Sequence, residues 1–189
     1  MKVIQKYFLA LVPPAGILDK AHQIKIGLRD QFGIKYALKS PPHITLKMPF
    51  SYNEAKEDLL VANLQEHLKG QEPFAVKIDG VGTFGNRVIY LAIEESEMLR
   101  NCQRELSKFC KERLHLTEEL SDRNYHPHLT VAFKDLKTDH FSEVLAFVKQ
   151  ECFKTVYYAP ELTLLKRIDG VWMLHRSLPF SREKFPIPN

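Results

Sequence analysis

The chain writes one short pattern twice. Ser40 to Phe50 reads SPPHITLKMPF, and Asn124 to Phe133 reads NYHPHLTVAF. Pro42-His43-Ile44-Thr45-Leu46 and Pro127-His128-Leu129-Thr130-Val131 agree in residue type at five successive places. Chance agreement of that kind is on the order of one in thousands. Both segments have strand composition, and on a strand residues i and i+2 share a face. His43 and Thr45 therefore point together, with Ile44 and Leu46 turned to the core. His128 and Thr130 repeat this, with Leu129 and Val131 behind them. The chain is expected to build two related units, each presenting one imidazole and one hydroxyl.

The remaining pattern supports that organisation. Residues 3–12 read as a strand closed by Pro13-Pro14, and 17–31 as a helix that Gly33 ends. The first motif strand is expected over 43–50, and a helix over 54–68, capped by Ser51 or Asn53 and stopped by Gly70. Residues 74–81 and 88–93 read as strands joined through the turn GTFGN, made by Gly82, Gly85 and Asn86. A helix over 96–114 carries Leu99, Cys102, Leu106 and Cys110 on one apolar stripe. The second motif strand spans 127–133, a helix follows over 139–152, and 162–167 with 171–180 form a hairpin over Asp169-Gly170. The tail REKFPIPN is expected to be an extended arm or to fray. The order is strand, helix, strand, helix, hairpin, then helix, strand, helix, hairpin. The second half thus echoes the first without its opening strand. The fold class is α+β: a single domain over 1–189, made of two lobes with mainly antiparallel sheets flanked by helices.

Composition narrows the class further. With 44% hydrophobic and 26% charged residues over 189 positions, the chain has ordinary globular content. Its net charge of +4 favours an anionic ligand only weakly, because the positive residues are not gathered in a run. Three cysteines without a CxxC point to reduced thiols, not to a disulfide framework or a zinc knuckle. The apolar start is interrupted by Gln5 and Lys6 and has no cleavage signal, and no segment is long enough to span a bilayer. A soluble, cytoplasmic protein without a membrane role is expected, and a monomer is compatible with the sequence.

Two imidazoles and two hydroxyls facing one cleft suit phosphodiester chemistry. One neutral imidazole takes a proton from the attacking oxygen, while the other, protonated, gives one to the leaving oxygen. The hydroxyls donate to the non-bridging phosphate oxygens and to the charge that builds on them. No metal or cofactor is required. A metal site of His43, His126 and His128 is the competing reading of HPH, but no carboxylate or cysteine stands nearby to complete it. A purely structural reading suits either motif taken singly.

The two motifs resemble those of the 2H phosphoesterase superfamily, which includes the 2′-5′ RNA ligase-like proteins and RNA 2′,3′-cyclic phosphodiesterases. YFLALVPP is similar to that family's opening strand, GVGTFGNRVIYLAI to its central hairpin and LTLLKRIDGVWMLHRSLPF to its closing hairpin. The resemblance implies a pseudo-twofold cleft between the lobes and metal-independent cleavage of a cyclic or linear phosphodiester, most often leaving a 2′-phosphate. His43 and His128 would be acid and base, and Thr45 and Thr130 phosphate ligands. The implied partner is an RNA end or a nucleotide phosphodiester. The sequence departs from the ligase-like pattern after the second threonine, where Val131-Ala132-Phe133 stands and a basic residue comes only at Lys134. The substrate therefore stays open among RNA ends, cyclic nucleotides and 2′-5′ linkages. A non-catalytic nucleotide- or RNA-binding module with the same cleft is the alternative.

Lys47 and Tyr125 flank the motifs and are expected to contact substrate. His126 is expected at the rim or in a structural role, and the other five histidines in surface or packing positions.

Overall fold

The computed structural model describes residues 3–181. The tail expected to extend or fray lies outside the described residues. Two four-stranded antiparallel sheets carry the fold. The first has the order β2-β1-β7-β8, where β1 is Ile4–Leu11, β2 Ile44–Asn53, β7 Glu161–Ile168 and β8 Val171–Pro179. The second has the order β5-β4-β3-β6, where β3 is Phe74–Phe84, β4 Val88–Ile93, β5 His128–Phe133 and β6 Lys154–Ala159. Helices α1 (Ala15–Phe32), α2 (Glu57–His67), α3 (Glu97–Glu112), α4 (Leu120–Arg123) and α5 (Phe141–Gln150) complete the α+β architecture.

The lobes are not the two halves of the chain. The first motif strand β2 pairs with β1, but the sheet is finished by the closing hairpin β7–β8. The central hairpin β3–β4 belongs to the second motif, with β4 beside β5. The opening strand of the second unit is therefore β4, which stands to β5 as β1 stands to β2. Local pattern reports which segments are strands, but pairing between segments over a hundred residues apart is decided by how the faces pack. The edge strand β6, with alternating exposed Val156 and Tyr158, and the single-turn helix α4 are additional to the sequence expectation.

One apolar core joins the lobes. It includes Leu9, Leu11, Ile44 and Leu46 from the first sheet, Ile89, Leu91, Leu129 and Val131 from the second, and Leu28, Leu64, Leu106 and Val148 from the helices. Gly33 ends α1 at φ 70°, its N–H bonding Arg29 O, a left-handed cap that glycine adopts without penalty. Ser96 caps α3 by accepting the Leu99 N–H. Cys102 and Cys110 are buried on that helix, and burial pushes both thiols up to about 12. Cys152 is exposed. Among the described residues no helix is long and apolar enough to cross a membrane.

Each motif strand carries a β-bulge immediately after its threonine. On β2, Thr45 pairs with Ala10 and Lys47 with Leu9, so Leu46 has no partner of its own. On β5, Thr130 pairs with Tyr90 and Ala132 with Ile89, which leaves Val131 in the same position. A bulge breaks strict alternation and re-aims the next side chains along the strand. In β2 this turns Lys47 inward.

Candidate active site

His43 directly precedes β2, and His128 begins β5. The two motif strands lie against each other where the sheets meet, close enough that charge on His128 acts on His43. Around both rings the motif repeats at atomic level. His43 Nδ1 lies 2.7 Å from Pro41 O, and His128 Nδ1 lies 2.7 Å from His126 O. A carbonyl oxygen only accepts, so in each ring Nδ1 carries the hydrogen and Nε2 is left with its lone pair. The proline between donor and acceptor, Pro42 or Pro127, has its φ set by its ring and no N–H of its own. It holds the chain extended, so that the carbonyl two residues upstream meets the imidazole.

Thr45 and Thr130 are half-buried on the same faces as their histidines, with the aliphatic neighbours fully buried. Aromatic rings wall both imidazoles. Phe8 lies 4.7 Å from His43, and Trp172 meets Phe8 edge-on at 4.7 Å. Phe84 meets His128 edge-on at 4.9 Å, and Tyr90 lies 5.2 Å away. Gly82 is not part of the turn, which is made by residues 85–87. It stands on β3 opposite Tyr90, where a Cβ would overlap the Tyr90 ring. The missing side chain is what seats Tyr90 beside His128.

Burial sets the protonation of the pair. His43 is held down to about 4, first by desolvation, then by the Lys25 ammonium and by His128. His128 is also lowered, by desolvation and by His126. Both are neutral at neutral pH in the free protein.

Lys25 was not singled out by its sequence context, although a lysine four residues after Ala21 on the buried stripe of α1 is a signal. It is 2% exposed, and Nζ donates to Ala37 O at 3.0 Å and Ser40 O at 3.1 Å. Among the described residues no carboxylate pairs with it, and burial pulls it down to about 7. Its two acceptors stand just upstream of His43, so Lys25 anchors the segment that delivers that imidazole.

The expectation that Lys47 contacts substrate is corrected. Lys47 is 1% exposed and is spent on a buried ion pair with Asp122, with a further bond to Thr117 O at 2.8 Å. Asp122 also accepts the N–H groups of Met48 at 2.8 Å and Glu119 at 2.9 Å. Lys47 therefore ties the loop before the second motif to the first motif strand.

Tyr125 does line a cavity, one of about 240 Å³ bounded also by Thr45, Met48, Phe84, Asn124 and His128. Its hydroxyl is buried without a hydrogen-bond partner. His43 and Thr130 lie outside this cavity, which opens on the His128 side of the pair. His126 is a rim residue, with Nε2 3.1 Å from Tyr90 Oη and Nδ1 3.6 Å from Glu95. Among the described residues no three His, Cys, Asp or Glu side chains converge on a metal-holding cluster. His175 and His67 are packing residues: the first bonds buried Glu57 at 2.6 Å and the second stacks on Phe109 at 4.2 Å.

The fold and the paired motifs define a class: two antiparallel lobes, each carrying one His-x-Thr to a shared junction. The 2′-5′ RNA ligase superfamily matches residues 13–176, and the chain belongs to that family, the 2H phosphoesterases. It is 30% identical over 183 residues to a protein of Oceanobacillus iheyensis named "Putative phosphoesterase", covering 94% of this chain and 99% of that one. Two solved structures share its fold. TT0787 of Thermus thermophilus superposes with a TM-score of 0.64 at 15% identity, covering 94% of this chain and 99% of that one. LigT of Escherichia coli complexed with 3′-AMP superposes with a TM-score of 0.57 at 17% identity, covering 94% and 98%.

Proposed function

We propose that the protein is a metal-independent phosphodiesterase for 2′,3′-cyclic phosphate ends of RNA, or for a related cyclic or 2′-5′ nucleotide, with ligation as the reverse reaction. The observation that carries this reading is the matched pair His43 and His128, each with its Nδ1–H committed to a carbonyl and its Nε2 open. The 3′-AMP held by LigT supports a nucleotide as ligand.

The catalytic cycle follows from the two imidazoles. His43, the more strongly held in its neutral form, takes a proton from water as the water oxygen attacks phosphorus. The bond from phosphorus to the leaving sugar oxygen breaks, and His128, protonated when the anionic phosphate is bound, donates a proton to that oxygen. His43 ends protonated and His128 neutral, and exchange with solvent resets both. Thr45 and Thr130 donate to the non-bridging oxygens as charge builds there. In ligation the two histidines exchange roles.

Hydrolysis of 2′,3′-cyclic mononucleotides and of RNA bearing a cyclic end tests the reading. Turnover by the wild type that survives EDTA and disappears in the His43→Ala/His128→Ala double variant is expected. Full turnover by the double variant, or dependence on added zinc or manganese, would overturn the mechanism. A nucleotide that binds tightly and is recovered intact would favour a binding module instead.

A further inference from the structure

The phosphodiester site accounts for the faces around His43 and His128, but not for a group of cations at the rim on the His43 side. Lys39 lies in the 3₁₀ turn Tyr36–Lys39, Lys134 follows β5, and Arg167 lies near the end of β7. These three segments are far apart in sequence, and β5 and β7 belong to different sheets. Lys39 and Lys134 gather around one ring, Tyr36, and Arg167 stands near enough for its charge to act on it. Lys134 Nζ donates to the Tyr36 hydroxyl at 2.9 Å and lies 4.5 Å from the ring centre. Lys39 Nζ stands 4.9 Å from the same centre. Arg167 acts on the Tyr36 phenol as well, and together the three cations pull it below its ordinary range, led by the Lys134 hydrogen bond.

Two features argue that this cluster is built and that its charge is unspent. Among the described residues none of the three cations has a carboxylate within ion-pair distance. The nearby carboxylate, Asp135, directs Oδ2 to the N–H groups of Lys35 at 2.8 Å and Tyr36 at 2.7 Å. That bond locks the 3₁₀ turn of one lobe to the segment after β5 of the other. The ammonium that reaches Tyr36 is carried on Lys134 at φ 61°, a left-handed conformation uncommon for a residue with a Cβ. Like charges brought together without a counter-ion cost free energy in the free protein, and a bound anion removes that cost.

The cluster is continuous with the reacting centre. Arg167 pairs with Trp172 across β7 and β8, and its guanidinium lies 5.8 Å from the Trp172 ring. Trp172 meets Phe8, and Phe8 meets His43. Phe8 pairs with Leu165, two residues before Arg167, so all of these side chains share the face that carries Thr45. An aromatic track thus runs from His43 out to the cations, opposite the cavity beside His128.

We propose that Lys39, Lys134 and Arg167, arranged around Tyr36, form a second anion subsite that takes a phosphate of the substrate other than the reacting one. The ligand class is a phosphate-bearing nucleotide chain, its base resting on Trp172 and its phosphate among the three cations. That phosphate is either the next phosphodiester of an RNA strand or the terminal phosphate of a single nucleotide. This subsite rests on the phosphodiesterase reading for its meaning, but its occupancy is measured without turnover.

The test compares binding of three labelled ligands to the His43→Ala/His128→Ala variant, which leaves them intact, with and without the further change Lys39→Ala/Lys134→Ala: a 2′,3′-cyclic mononucleotide, its 5′-phosphorylated form, and a short RNA with a cyclic end. A control removes the exposed lysines Lys20 and Lys108 instead. The expected result is a loss at least tenfold greater for a phosphate-bearing ligand than for the plain mononucleotide. A selective loss with the 5′-phosphorylated nucleotide identifies a terminal phosphate, and one with the RNA alone identifies the next phosphodiester. For the RNA, the slope of log affinity against log salt should also flatten by about 0.7 for each phosphate that the variant no longer neutralises. Equal losses for all three ligands, equal losses in the control, or no loss would each overturn the subsite. A wild type that binds selectively but cleaves nothing would overturn the phosphodiesterase reading and leave the subsite standing.

Discussion

His43 and His128 make the same hydrogen bond: in each, Nδ1 meets the carbonyl two residues upstream at 2.7 Å, across a single proline. The bond leaves Nε2 open, the atom that exchanges protons with substrate in the proposed mechanism. Replacing either histidine by alanine should lower kcat/KM on a 2′,3′-cyclic nucleotide by about a hundredfold or more. Thr45→Val and Thr130→Val should cost less, roughly ten- to a thousandfold, and mainly in kcat, because their hydrogen bonds strengthen with transition-state charge.

The pH dependence follows from the two lowered pKa values. In the proposed mechanism the base His43 must be neutral, so activity is lost as pH falls through about 4. The acid His128 must be protonated, so kcat/KM falls as pH rises through a value below the usual 6.5. A bell-shaped kcat/KM profile with an acidic optimum is expected, and the alkaline limb of kcat should move up, because bound phosphate favours protonated His128. A profile still rising above pH 7 would remove the assignment.

Lys25→Met should lower kcat/KM about tenfold without touching substrate, because the carbonyls of Ala37 and Ser40 lose their shared donor and the His43 segment loses its anchor. The pH dependence of stability separates this from general damage. Lys25 titrates at about 7 when folded and near its ordinary 10.5 when unfolded, so the unfolded chain binds more protons between those values. Lys25 therefore makes stability rise with pH across that window, and denaturant melts of the methionine variant should show a flatter slope there.

Lys47→Ala should act on stability and not on substrate affinity. It leaves Asp122 buried without its cation, a change that costs about 3–5 kcal/mol and should show as a large fall in Tm. A specific rise in KM at unchanged Tm would return Lys47 to the binding site.

Gly82→Ala should lower activity about tenfold or more, because a Cβ there displaces the Tyr90 ring from beside His128. A Tyr90→Leu change should partly restore packing but not the hydrogen bond from Tyr90 to His126, and thermal melts together with kinetics will separate the two effects.

Much of this protein is legible as text. The repeated Pro-His-aliphatic-Thr-aliphatic pattern announces two units with one imidazole and one hydroxyl on each, because period-two alternation is a local property of strands. The apolar stripes of α1 and α3 and the Asp169-Gly170 hairpin are likewise local. Tertiary structure decided what depends on partners distant in sequence. It placed β7–β8 with the first motif and β3–β4 with the second. It turned Lys47 inward, because a bulge at Leu46 broke the alternation and Asp122, 75 residues away, was there to receive the charge. It also brought Lys39 and Lys134 to one ring, Tyr36, with Arg167 beside Trp172 close by. Alternation is written residue by residue, whereas the direction of a charged side chain depends on which opposite charge, or which anion, the folded chain brings within reach.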